Sequence, residues 1–69
     1  MISYEPFWDT LEKSNENWYT LTKTHKMSFS TLTRLKNNQD VTTKTLDDLC
    51  RILECNIEDI IMYKKENSN

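Results

Sequence analysis

Ser28, Phe29, Ser30, Thr33 and Arg34 set hydroxyl groups, one aromatic ring and one guanidinium group within two turns of a candidate helix. A hydroxyl both donates and accepts hydrogen bonds, and guanidinium donates through a fixed fork that fits the two acceptors of guanine. On one exposed helix face such a set can read base-pair edges in the major groove of DNA, which is wide enough to admit a helix. The bland alternative is an ordinary solvated helix face. Phe29 has two readings: contact with a thymine methyl group in the groove, or packing on the neighbouring helix beside Leu32, which is favoured.

Those side chains need elements to hold them. Asn17 is placed to cap a short helix that carries Trp18, Leu21 and His25 along one side. Ser28 is the natural cap of a second helix, with Met27 stapled to Leu32 and Leu35 continuing the inner stripe. Neither helix can bury its stripe alone, so the flanking segments must supply the rest of a core. Upstream, Pro6 fits the first turn of a helix capped by Ser3 or Glu5, with Phe7, Trp8 and Leu11 facing inward. Downstream, NNQD reads as a loop, and Thr42 caps a helix whose Leu46, Leu49, Cys50 and Leu53 repeat at the helical period. Asn56 then caps a last predicted helix with Ile57, Ile60 and Ile61 inward and Cys55 stapled to Ile60.

Sixty-nine residues with no glycine, one proline and no sustained alternation of apolar and polar residues predict a single small all-α domain of five helices. It is expected to span residues 1–63, with KKENSN at 64–69 a disordered polar tail that reads as a natural end. No stretch is long and apolar enough to span a bilayer and the N-terminus lacks a secretion signal, which predicts a cytoplasmic protein without a membrane partner. Cys50 and Cys55 match no zinc spacing and are expected as free thiols, so no metal and no cofactor is predicted. His25 has no catalytic companion, which argues against an enzyme and a small-molecule substrate.

The net charge of −2 weighs against a nucleic-acid partner, but its distribution does not. Between Thr20 and Leu46 stand Lys23, Lys26, Arg34, Lys36 and Lys44 against Asp40 alone, whereas both flanking segments are acidic.

Leu21, the turn HKMS, then STLTRLKNNQ, TLDDLCRIL and NIEDI come in an order and spacing that resembles the lambda-repressor-like (Cro-type, XRE-like) helix-turn-helix family, from about Pro6 to Tyr63. The resemblance implies a compact five-helix domain that binds double-stranded DNA, with the helix-turn-helix near 17–38 and its recognition helix near 28–38. Phe29, Ser30 and Arg34 fall where members place base-reading side chains. Asn37, Asn38, Gln39, Thr43 and Lys44 fall where members grip phosphates, with Asn17, Trp18 and Lys26 beside them. Two positions depart from the pattern. Trp18 replaces a frequent glutamine, though its indole can still donate one hydrogen bond to a phosphate. Lys26 replaces a frequent glycine in the turn, where a left-handed backbone costs lysine about 1 kcal/mol.

The expected function is a sequence-specific transcriptional regulator, a repressor that occupies operator DNA. One recognition helix reads few base pairs, so a homodimer on paired half-sites is expected. Met62, Tyr63 and Ile52, with Trp8, are the apolar residues available for a dimer surface; alternatively they complete the monomer core. A rival reading keeps the fold as a protein-binding module, such as an antirepressor or a mobile-element inhibitor. Net acidity, Trp18 and Phe29 support that rival.

Overall fold

The computed structural model describes residues 1–65. In chain order these form β1 (Ile2–Ser3), α1 (Glu5–Lys13), α2 (Trp18–Lys23), α3 (Phe29–Lys36), α4 (Thr43–Leu53), a 3-10 turn (Ile57–Asp59) and β2 (Met62–Tyr63). One core joins every helix: Tyr4, Phe7, Leu11, Leu21, Leu32, Leu35, Leu49, Leu53 and Ile60 are buried together, with Trp8, Trp18, Met27, Val41, Leu46 and Cys50 packed around them.

The expectation of an all-α, five-helix chain needs correction. Among the described residues four α-helices are present, and the segment expected as the fifth is a single 3-10 turn followed by a strand. Asp59 Oδ2 accepts from the Asn56 amide at 3.0 Å and fixes that turn, after which Ile60 is buried but Ile57 stays 49% exposed. The chain then extends through Met62 and Tyr63 to pair antiparallel with β1, Ile2 opposite Tyr63 and Ser3 opposite Met62. Met1 O accepts from the Lys64 amide at 2.7 Å, and Lys64 is ion-paired with Glu5, so the two ends of the described chain are tied together. Strands of two residues are too short to show alternation, which is why no sequence pattern marked them. Lys64, the first residue of the expected tail, therefore has defined partners, while residues 66–69 of that tail lie outside the described residues.

The caps carry much of the local order. Asn17 Oδ1 accepts from Thr20 N at 2.9 Å while Thr20 Oγ1 accepts from Asn17 N at 2.9 Å, a reciprocal capping box. Ser28 and Thr42 accept from the amides of Thr31 and Thr45 at 3.2 and 3.1 Å. At α1 the helix begins after Tyr4 without a side-chain cap; instead the buried Ser3 hydroxyl accepts from Glu5 N at 3.2 Å. A chain without glycine must fill left-handed positions with other residues: Lys26, Asn38 and Glu54 have φ of 59°, 54° and 51°. At Glu54 this reversal brings the Cys55 amide onto Cys50 O at 3.0 Å and ends α4.

Candidate nucleic-acid interface

The helix pair that positions the candidate side chains is α2 and α3. Leu21 anchors α2 in the core, and Leu32 and Leu35 anchor α3, all three fully buried. The turn between them closes through His25 N and Met27 N, which donate to Thr20 O and Leu21 O at 3.0 and 2.9 Å. His25 Nε2 also meets Glu16 Oε1 at 3.1 Å, tying the turn to the segment before α2.

At about 100° per residue, Ser30, Thr33 and Arg34 lie opposite the buried Leu32 and Leu35, with Phe29 at the edge of that outer face. All four are exposed. The favoured reading of Phe29 is corrected here: the residue is 64% exposed and is not part of the buried core, where the inner stripe of α3 is filled by Leu32 and Leu35. Ser28 is occupied as the cap, and its hydroxyl also lies 3.1 Å from Ser30 Oγ and 2.9 Å from Thr31 Oγ1. Arg34 forms no ion pair among the described residues, and neither do Lys23, Lys26 and Lys36. Lys36, absent from the candidates, adds an exposed charge to the last turn of α3.

The residues expected to face phosphates divide. Asn37 and Gln39 are exposed at the end of α3, and Thr43 is exposed at the first position of α4. Asn17 has its Oδ1 committed to the cap, and Lys26 is exposed in the turn. Lys44 Nζ lies 2.6 Å from Asp48 Oδ1, so its charge is shared with a neighbouring carboxylate; Lys44 and Arg51 together hold the Asp48 carboxyl below the usual range. Trp18 is half-buried, its ring stacked on Trp8 at 5.8 Å and 10°, which makes it a bridge between α1 and α2.

Asn38 has a structural task that sequence patterns did not indicate. Its Oδ1 accepts from the Tyr4 amide at 3.0 Å, and Tyr4 Oη donates to Gln39 O at 2.8 Å. Tyr4 is buried, and burial together with the negative charge of Asp40 raises its phenol above the ordinary value. Residues 34 and 35 positions apart thus meet, and Tyr4 fixes the loop that follows the candidate reading helix. No local signal links Tyr4 to that loop, since nothing in its spacing repeats there.

Ile52 and Trp8, candidates for a dimer surface, pack against the monomer core. Met62 and Tyr63 are exposed, at 41% and 69%, on β2 rather than on a last helix. Among the described residues no cluster of three or more His, Cys, Asp or Glu side chains is arranged to hold a metal ion.

A family model of the Cro/C1-type HTH DNA-binding domain matches residues 8–66, which include all of α1 through β2 except the first three residues of α1. The chain belongs to the Cro/C1-type helix-turn-helix DNA-binding family. The chain is similar to the crystal structure of the transcriptional regulator VanUg, with 29% identity and a TM-score of 0.82 over 94% of this chain and 87% of that one. No curated protein matches the sequence significantly. No helix of the described residues is long and apolar enough to cross a membrane.

Proposed function

We propose that this Cro/C1-type domain is a sequence-specific transcriptional regulator that represses by occupying operator DNA as a homodimer. The observation that carries this reading is the division of α3: Leu32 and Leu35 are fully buried, while Thr33 and Arg34 are exposed, and Arg34 has no ion-pair partner among the described residues. A helix held so firmly on one side presents its other side with little reorganisation. Arg34 is the principal base reader, through a two-point contact to guanine, with Ser30, Thr33 and Phe29 around it and Ser28 at the helix start. Lys26, Asn37, Gln39 and Thr43 grip phosphates, with Asn17 beside them; Lys44 joins them by exchanging Asp48 for a phosphate, a small cost for an exposed pair. Asn38 and Trp18 act indirectly, by holding the loop and α2 in place. The similarity to a transcriptional regulator supports this assignment. Met62 and Tyr63 remain the candidates for the dimer surface, and the chain needs no catalytic group or cofactor for the task.

The test is the salt dependence of binding to duplex DNA. A dimer making about six phosphate contacts loses on the order of 10³ in affinity between roughly 50 and 200 mM salt. A second reading, a helix-turn-helix fold that binds a protein, is favoured by two exposed aromatics, Tyr19 at 67% and Phe29 at 64%. That reading predicts negligible DNA binding even at low salt.

A further inference from the structure

The first turn of α3 contains three hydroxyl side chains, and all three are engaged with one another or with the backbone. Ser28 Oγ accepts from Thr31 N at 3.2 Å and lies within hydrogen-bonding distance of both Ser30 Oγ and Thr31 Oγ1. Phe29, in the middle of this network, has no such internal task. It is the first residue of the helix and is 64% exposed, while the inner stripe beside it is closed by Leu32 at 0% exposure. A single exposed aromatic is unremarkable on most surfaces. Its position here is what matters, because a helix lying in the major groove brings its N-terminal residues to the base edges.

The base edges in that groove are almost entirely hydrogen-bond donors and acceptors. The apolar exception is the C5-methyl group of thymine. A phenyl ring set against any other base edge strips water from polar groups and returns no hydrogen bond, a penalty that the methyl group avoids. Resting on the DNA-binding reading above, we propose that Phe29 reads the methyl group of a thymine, so that each half-site carries an obligatory thymine opposite the start of α3. Phe29 thereby contributes specificity that the hydroxyl network of the first turn does not supply, and Arg34, more than a full turn further along, reads a different base pair.

The test uses the full chain and a duplex recovered by selection from random sequence. Each thymine is replaced in turn by uracil, which pairs identically and lacks only the methyl group. One position in each half-site is expected to lose roughly three- to tenfold in affinity, the scale of one buried methyl group. Phe29→Ala, expected to keep the fold by circular dichroism because the side chain it removes is exposed, should bind the thymine and uracil duplexes equally at that position. Two results overturn the inference while leaving DNA recognition intact: uracil tolerated everywhere, or thymine preference retained by Phe29→Ala. A selection that enriches no duplex overturns the DNA-binding reading itself, and the inference with it.

Discussion

Arg34 stands exposed on α3 without an ion-pair partner among the described residues, so its removal should be silent in the free protein and costly in the complex. Arg34→Ala is expected to leave the melting temperature unchanged and to weaken binding to a selected duplex by about 1–3 kcal/mol, relaxing specificity at one position. Titration of binding to matched and single-base-changed duplexes checks both parts. Tyr4 behaves in the opposite way. Tyr4→Phe removes the bond to Gln39 O and should cost about 0.5–1.5 kcal/mol of stability by denaturant unfolding. The Tyr4 phenol is raised above 10.0 in the fold, so the stability it contributes is complete below that pH and is lost as pH rises through the folded value. Tyr4→Phe should therefore flatten the alkaline decline in stability. Burial, with the neighbouring Cys50, raises the Cys55 thiol from 9.0 to about 11, so alkylation of Cys55 should be slow at neutral pH, rise with pH and level off only near 11. At this scale the sequence disclosed exposed chemistry better than buried chemistry. Ser28, Ser30 and Arg34 could be placed by helical spacing from Leu32 and Leu35, whereas the bonds from Tyr4 to Asn38 and Gln39 join residues with no periodic relation.

Among the elements, the four α-helices were legible because each opens on a capping residue or proline followed by apolar residues at three- and four-residue spacing. The two short strands were not legible. Ile2, Ser3, Met62 and Tyr63 pair only because the core brings the chain ends together, and two residues carry no period. The left-handed positions give a prediction that separates backbone strain from side-chain function. Lys26→Gly relieves a positive φ at a side chain without hydrogen-bonded partners among the described residues, and should stabilise the domain by up to about 1 kcal/mol, or roughly 4–8 °C in Tm. Asn38→Gly relieves a similar φ but removes the acceptor of the Tyr4 amide, whose loss costs about 1–3 kcal/mol, so it should be net destabilising. Thermal unfolding of the two variants side by side gives opposite signs if Asn38 is a clasp, and the same sign if it only turns the chain.

The whole molecule is weakly acidic, yet it segregates its charge. Acidic side chains of α1 and α4 are partly neutralised by their own neighbours, as in Asp9 with Lys13 and Asp48 with Lys44 and Arg51. Lys23, Lys26, Arg34 and Lys36 form no ion pair among the described residues and cluster in sequence around the helix-turn-helix. A field of that form attracts a polyanion from one side and predicts association that slows steeply with added salt. Sequence-specific recognition by a pair of Cro/C1-type domains is best tested by selection of the protein against random duplex DNA, followed by sequencing of the bound pool. The expected result is a palindromic motif whose two half-sites lie about one helical turn apart, bound by a dimer. A pool that stays unenriched, from protein shown to be folded, would contradict it.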